Sequence, residues 1–435
     1  MGINITGTQQ HKNLFSALNI RREELPAVAL AFGYFFCLLC SYYILRPMRD
    51  EMAIASGVEN MQWLFTGTFF AMLAVTPLFG FLASRFLRRQ IIPVTYGFFL
   101  ITILIFYALF QMELKTPWVA RAFFWWVSVF NFFVVSVFWA YMSDIFSAEQ
   151  GKRLFGIIAA GGSVGAITGP LLTQSLVTGL GAANLLLVSA TFLTLALVCM
   201  LALLRHERDV QEFQTSKADQ KLGGSWIEGF LAIFRSRYVA SIAVWIMLST
   251  LAATFLYFQQ ATIIRDAFAT SEERIQMFAR IDLAVNGLTL LTQIFIVGRL
   301  MGWFGISLTL ALFPLVTLAG FTALAIAPVL LVVVSFQAIQ RAVNFSIAQP
   351  SYRVLYTTVS DEEKYKAQPF IDTVGVRGGD AASGWIYATL AQTLGWGLQP
   401  LAIFILPLAG LWALLSYWLG LAHQQKIQNQ EETSA

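Results

Sequence analysis

Two stretches of the chain place arginine and aspartate side by side at the end of an apolar run. Arg46, Arg49 and Asp50 close one run of about twenty mostly apolar residues, and Arg265-Asp266 closes another run 216 residues after Arg49-Asp50. A charge at the centre of a bilayer costs roughly 2.5–3.5 kcal/mol on insertion scales, so it persists only where it faces protein or a water-filled cavity. The repeat of this pattern indicates internal duplication.

Further charges interrupt apolar segments later in the chain. Arg341 has no acid beside it in sequence, whereas Arg377 lies between Asp372 and Asp380. An excess of guanidinium groups suits a polyanion, because arginine binds phosphate or carboxylate oxygens through a planar fork. The alternative is that these side chains form structural ion pairs or extend to the membrane interface. We predict substrate-binding roles for Arg46, Arg49, Arg265, Arg341 and Arg377, and coupling or orienting roles for Asp50, Asp266, Asp372 and Asp380.

The composition indicates a membrane protein. The chain is 57% hydrophobic and 12% charged, with a mean hydropathy of +0.68, whereas soluble domains carry about 25% charged residues. The net charge of +4 is small for 435 residues and does not argue for a nucleic-acid partner. Cys37, Cys40 and Cys199 lie in apolar runs and form no disulfide framework.

The apolar runs predict an all-α polytopic membrane protein with about twelve transmembrane helices in two six-helix halves. We place the spans near 25–45, 62–83, 90–111, 118–142, 153–175, 183–204, 238–260, 280–300, 304–326, 327–348, 370–393 and 397–421. The first half is residues 1–204, and a linker with a possible amphipathic helix is 205–237. The second half is 238–421, and a polar tail is 422–435.

Lysine and arginine concentrate in loops that lie on one side of this topology, such as the loop with Arg85, Arg88 and Arg89. The positive-inside rule therefore puts both termini in the cytoplasm. Residues 1–24 are polar and do not resemble a cleavable signal peptide, so we expect the first helix to direct insertion. The predicted location is a bacterial inner membrane.

Motifs for covalent chemistry find no support. Gly161-Gly162-Ser163-Val164-Gly165 fits the G-x-S-x-G of hydrolases, but that motif needs a strand-turn-helix and a histidine base. This serine lies in an apolar helix, and the histidines lie near an end or in the linker. The sequence contains no Walker A phosphate loop and no H-E-x-x-H. We therefore expect no enzyme activity, no cofactor and no metal, and energy from a gradient or from exchange.

The loop after the second span resembles a loop of the major facilitator superfamily. Residues 80–89 read GFLASRFLRR against G-x-L-a-D-r-x-g-r-r, with Ser84 in place of the acid, and Gly298-Arg299-Leu300-Met301-Gly302 echoes it in the second half. A generic positive-inside loop is the alternative. Glycines at four-residue steps, from Gly161 to Gly169, and again at Gly378-Gly379 and Gly384, predict close helix packing in both halves.

Three longer stretches resemble the ATP:ADP antiporter family of plastids and intracellular bacterial parasites. They are residues 43–50 against Y-T-I-L-R-D-T-K-D, residues 138–139 with 149–156 against F-W and E-A-K-x-F-Y-P-L-F-G, and residues 364–379 against K-x-K-x-x-x-D-V-V and K-S-G-G.

The resemblance implies that Arg49 and Arg377 occupy positions of substrate-linked lysines. The chain departs from the family where nucleotide exchangers carry acids, because Gln259 or Gln260 and Val127 align there. It also departs at Pro47, which interrupts the first motif.

The sequence thus predicts a monomeric secondary carrier, in a lipid bilayer, for an anionic and phosphate-bearing solute, with ATP or ADP as leading candidate. A proton-coupled symporter or exporter of another organic solute is the alternative, and a membrane enzyme or a sensor that does not transport is the third hypothesis. A requirement for a pH gradient would favour the proton-coupled carrier, and substrate binding without flux would favour the enzyme or the sensor.

Overall fold

The protein was analysed as a computed structural model that describes residues 21, 23–85, 88–112, 116–210, 236–359, 367–368 and 370–434. Within these residues the ordered structure is helical. The α-helices are α1 Leu25–Ala55, α2 Met61–Arg85, α3 Arg88–Gln111, α4 Pro117–Ile145, α5 Ala148–Val210, α6 Arg237–Ala267, α7 Ser271–Phe295, α8 Val297–Ile326, α9 Leu330–Val343, α10 Gln349–Val354, α11 Val376–Ala388 and α12 Leu398–Ser434. Short 3₁₀-helices cover Val58–Asn60 and Leu355–Thr358.

Two glycines break helices α5 and α8 at or next to a boundary that the sequence predicts between spans. Gly181 has φ 79° inside α5, and Gly305 has φ 65° inside α8. Positive φ is accessible to glycine at no steric cost, so each glycine lets the chain turn between two helical segments. The boundary predicted at 326–327 is also present, because Ala327 is extended after the last turn of α8.

The all-helical membrane fold is confirmed. Among the described residues, nine helical stretches are long and apolar enough to cross a membrane, and Glu149–His206 contains the turn at Gly181 and accounts for two predicted spans. The predicted eighth and eleventh spans fall below that threshold. They hold α7 and α11, which carry Asp282, Arg377 and Asp380. These two helices therefore concentrate the polar character of the second half of the chain.

The chain divides into two compact units. The first comprises Met1–Arg46, Leu78–Glu113 and Val127–Ala218, and the second comprises Pro47–Pro77, Leu114–Trp126 and Asp219–Ala435. The predicted division into a 1–204 half and a 238–421 half stays a prediction. The amphipathic helix predicted near 226–235 and the lysines at 364 and 366 lie outside the described residues.

The first unit is held by tight packing of α5 on α1. A Cβ added at Gly161 or Gly165 would lie 2.5 Å from the carbonyl oxygen of Phe32 or 2.3 Å from that of Phe36. These glycines therefore allow the two backbones to meet, as the four-residue spacing predicts. At one end of the same helix pair, Arg153 donates two hydrogen bonds to the Glu24 carboxylate.

The second unit has a large apolar and aromatic core. Trp245 of α6 stacks on Tyr352, 5.6 Å between ring centroids, and packs edge-on against Trp412 of α12. The predicted glycine packing recurs here, because a Cβ added at Gly379 of α11 would lie 2.4 Å from the Thr250 hydroxyl of α6. This core holds α6, α11 and α12 together around the polar residues described next.

Candidate functional site

The end of α1 carries a buried aspartate with two partners in the second unit. Asp50 is 4% exposed. It accepts hydrogen bonds from Arg49, at 2.7 Å from Nη2, and from the Tyr257 hydroxyl of α6, at 3.0 Å. The Arg49 guanidinium also lies 5.2 Å from the ring centroid of Phe124. The sequence predicted the charges here, and the structure adds the tyrosine that holds the carboxylate.

A second ion pair adjoins this position. Arg274 of α7 donates from Nε to one oxygen of Glu51 at 2.7 Å and from Nη2 to the other at 2.9 Å, and Glu51 is 1% exposed. Nη1 donates to the carbonyl oxygens of Phe268 and Ala269, just after α6. The hydrogen bond to Glu51 raises the pKa of Arg274. Neither residue was predicted from the sequence, although an acid inside an apolar helix is a signal.

The repeated Arg-Asp pair lies in a different environment. Arg265 Nε is 2.8 Å from Asp266 Oδ1, and the two side chains are 41% and 60% exposed. The sequence repeat predicted equivalent roles for Arg49-Asp50 and Arg265-Asp266. The buried and the exposed pair are therefore not equivalent in solvation, and Arg265 instead lines a cavity with Tyr387 and Trp396.

Arg341 forms an ion pair with an aspartate on another helix. Its Nη1 lies 2.9 Å from Asp282 Oδ1 of α7, with the side chains 12% and 1% exposed. A π-helical segment, Asn344–Ala348, follows α9 directly. Such insertions of one helical residue are frequent at functional sites. The distance of 59 residues between the partners explains why sequence proximity gave no acid for Arg341.

The eleventh predicted span is also irregular at its charged residues. Asp372 lies in the π-helical segment Ile371–Gly375 and accepts a hydrogen bond from the Tyr352 hydroxyl at 2.8 Å. Arg377 makes one long contact, 3.4 Å from Nη1 to Asp380 Oδ2, and its side chain is 42% exposed. Compared with Arg49 and Arg341, Arg377 is therefore the arginine that its carboxylate partner holds least tightly.

Three glutamines in the second unit are buried without complete hydrogen bonding. Gln259 of α6 is 0% exposed, and neither its Nε2 nor its Oε1 has a partner within the described part of the chain. Gln337 Oε1 and Gln340 Nε2 of α9 are also buried and have no hydrogen-bond partner among the described residues. A buried amide without a partner costs about 1–3 kcal/mol. Helices α6 and α7 both pack on α9. The three amides and the Arg341–Asp282 pair of these helices are here called the interior polar set.

The structure brings eight of the nine predicted site residues into the second unit. The exception is Arg46, which belongs to the first unit, where its guanidinium lies 5.6 Å from the ring centroid of Tyr43. Ser163 of the G-x-S-x-G motif lies within α5 and donates to the Ala159 carbonyl. It therefore lies on a helix and not on the strand-turn-helix that a hydrolase elbow requires.

Comparison with known proteins identifies the family. A family model described as Major Facilitator Superfamily matches residues 30–371. The chain belongs to the major facilitator superfamily. Within the curated proteins no sequence matches it.

Solved structures that resemble this chain in fold are those of several kinds of transporter. The nucleoside transporter NupG superimposes with a TM-score of 0.64 at 15% identity, over 93% of this chain and 99% of that one. A peptide transporter of the POT family, in an auto-inhibited state, gives 0.61 at 12% identity, over 92% and 96%. A bacterial homologue of the human lysosomal transporter Spinster gives 0.60 at 13% identity, over 94% and 99%. These likenesses establish the fold, and the narrower resemblance to ATP:ADP antiporters stays a prediction.

Proposed function

We propose that this major facilitator protein is a secondary active transporter of an anionic, phosphate-bearing solute. The observation that carries the proposal is the interior polar set. Helices α6 and α9 bury Gln259, Gln337 and Gln340 with unmet hydrogen-bonding capacity, and α9 also carries Arg341. Polar groups at such cost inside a membrane protein are typical of a solute pathway. An incoming solute with hydrogen-bonding oxygens would satisfy them.

Charge favours an anion as that solute. Arg49, Arg341 and Arg377 each already contact a carboxylate, so an anionic substrate has to compete with Asp50, Asp282 or Asp380 for the guanidinium. Phosphate competes well, because a guanidinium donates two parallel hydrogen bonds to its oxygens. Arg377 offers the easiest exchange, since its contact with Asp380 is the longest of the three.

The roles follow from this competition. Arg46, Arg49, Arg341 and Arg377 supply positive charge for the transported solute, whereas Arg265 lines a separate cavity. Asp50, Asp266, Asp372 and Asp380 orient the guanidinium groups or carry a coupling proton. A nucleotide such as ATP or ADP is the leading candidate because of the three stretches that resemble ATP:ADP antiporters. We further propose a monomer in the bacterial inner membrane, with both termini cytoplasmic and alternating access as mechanism.

A proton-coupled carrier is the second candidate. The observation in its favour is that Arg49, Arg341 and Arg377 all have carboxylate partners. A carboxylate that loses its arginine to a substrate becomes easier to protonate, because the opposite charge that favoured its ionised form has gone. Substrate binding and proton binding would then be linked.

Uptake into liposomes tests these proposals. Purified protein is reconstituted, and uptake of labelled ADP, inorganic phosphate and an uncharged nucleoside is compared, each with and without an inward proton gradient. Uptake of the phosphate-bearing solutes alone supports the proposal, and a strict need for the gradient supports proton coupling. Uptake of the nucleoside alone would contradict an anionic substrate.

A further inference from the structure

A small cavity in the second unit lies apart from the interior polar set. It occupies about 270 Å³ between the ends of α2, α6, α11 and α12, and its lining includes Glu59, Gln62, Arg265, Tyr387, Gln392 and Trp396. Arg49, Arg341 and Arg377 do not line it. Its volume is just below the range of about 300–1,000 Å³ that is usual for sites of drug-sized ligands. The cavity therefore suits a small group rather than a whole nucleotide.

Gln62 gives this cavity a buried polar wall. Its residue is 5% exposed, and within the described chain no hydrogen bond engages its side-chain amide. An amide that lines a cavity and has no protein partner takes its hydrogen bonds from water or from a ligand.

Arg265 gives the cavity a positive charge with unused donors. Asp266 engages its Nε at 2.8 Å, and no hydrogen bond within the described residues involves Nη1 or Nη2. The two terminal amino groups therefore remain available to an oxyanion, which a guanidinium binds through paired hydrogen bonds.

The remaining lining fits this charge. Gln392 donates from Nε2 to the Glu59 carbonyl oxygen, which fixes the amide at the cavity edge. The Glu59 carboxylate accepts from the side chain of its neighbour Asn60 and so is engaged within its own turn. The rings of Tyr387 and Trp396 form apolar walls. Glu59 also lines the cavity and brings one negative charge, so an oxyanion has to bind at the side of Arg265 and Gln62, against the aromatic walls.

We propose that this cavity binds one oxyanion, a phosphate or carboxylate group, at Arg265 and Gln62, and that it is a second binding site separate from the proposed transport site. The group can belong to a free solute or to the headgroup of an anionic lipid, which present the same oxygens. Binding here goes beyond the proposed transport and is measured without it.

Protection of an introduced cysteine tests the proposal. Full-length protein with Ala391→Cys, a residue of the cavity lining, is placed in phosphatidylcholine nanodiscs and labelled with a polar maleimide, in sodium phosphate and in sodium chloride at equal ionic strength. Labelling should slow about tenfold when phosphate is at ten times its dissociation constant, by mass action. Thr393→Cys, on the same turn but outside the lining, is the matched control and should label equally in both salts.

Two variants in the Ala391→Cys background identify the groups that bind. Arg265→Gln and Gln62→Leu should each weaken protection about tenfold, as expected for loss of one charge-assisted or buried hydrogen bond, and Arg265→Lys should restore part of it. Protection that persists in Arg265→Gln would overturn the proposal.

Anionic lipid distinguishes the source of the oxyanion. In nanodiscs that contain phosphatidylglycerol, protection without added phosphate, lost in Arg265→Gln, identifies a lipid headgroup. Protection by phosphate in both lipid mixtures identifies a free solute. Equal labelling rates in all lipids and salts would overturn the site, whatever the outcome of transport assays.

Discussion

Arg274 and Glu51 lie 223 residues apart in the chain and form a two-bond ion pair, with Nε 2.7 Å from Oε2 and Nη2 2.9 Å from Oε1. The pair joins the end of α1 to the start of α7 within the second unit. Glu51 is 1% exposed, so its charge depends on protein partners such as Arg274 for stabilisation. The pair therefore fixes the helix end that also carries Arg49 and Asp50.

Removing one partner should leave a buried charge. We expect Arg274→Ala to lower the free energy of unfolding by about 3–5 kcal/mol, because a broken buried pair leaves the other ion uncompensated. Thermal unfolding of the purified protein in detergent measures the change. Arg265→Ala, which removes an arginine from the exposed Arg265–Asp266 pair, is the control and should cost less than about 1 kcal/mol.

The apolar replacement of both partners provides a further test of that pair. Glu51→Leu with Arg274→Met should be more stable than Arg274→Ala alone, because no uncompensated charge remains. A double variant as unstable as the single one would show that the pair acts through its other contacts, such as the carbonyls of Phe268 and Ala269.

Transport should depend on Arg49 and Arg377, whose guanidinium groups are proposed to exchange a carboxylate partner for the substrate. We expect Arg377→Ala and Arg49→Ala to abolish solute uptake into liposomes while the protein remains folded, because each removes a guanidinium from the proposed anion site. Arg299→Ala is the matched control, since Arg299 is an exposed arginine at the start of α8 that donates to the carbonyl oxygen of Phe295, the last residue of α7. Uptake at wild-type rates in both variants would exclude Arg49 and Arg377 from the site.

The close approach of α5 and α1 should tolerate no side chain. A methyl group at Gly165 would lie 2.3 Å from the Phe36 carbonyl oxygen, so Gly165→Ala should destabilise the protein by about 1–3 kcal/mol through overpacking. Gly179→Ala on the same helix meets no atom within 4 Å. It should be neutral or stabilising, because alanine is favoured over glycine in helices by about 1 kcal/mol. Equal stability of the two variants would contradict the packing.

Acid should weaken the contact at the start of α1. Hydrogen bonds from Arg153 lower the pKa of Glu24 from 4.5 to about 2 in the folded protein. Its contribution to stability is therefore present above pH 4.5 and is lost as the pH falls toward 2. Unfolding curves of the wild type and of Glu24→Gln, measured across this window, should converge at the acidic end. Curves that stay parallel would contradict a role for the ionised carboxylate.

Much of the fold could be predicted from the sequence, because long apolar runs and glycine breaks act locally. The boundary at Gly181 and the glycine contacts of α5 are examples. The partners of the charges could not be predicted in the same way. Asp282 meets Arg341 and Arg274 meets Glu51 only after distant helices pack. The repeated Arg-Asp motif misled in one respect, since identical residue pairs differ in burial once each helix end has its own neighbours.

The buried glutamines illustrate a second limit of sequence patterns. The sequence points to Gln259 only through the resemblance to ATP:ADP antiporters, which carry an acid there. Its context of apolar residues gives no sign that, among the described residues, its amide is enclosed without a partner. Burial and hydrogen-bond satisfaction are properties of the packed helices. They mark α6 and α9 as walls of the proposed pathway.

Uptake of labelled ADP into liposomes, with and without ADP inside, tests the central proposal most directly. We expect uptake by the wild type and none by Arg377→Ala, and dependence on internal ADP would identify exchange. Absence of uptake of ADP, ATP and inorganic phosphate by vesicles shown to contain folded protein would contradict a phosphate-bearing substrate and leave the superfamily assignment in place.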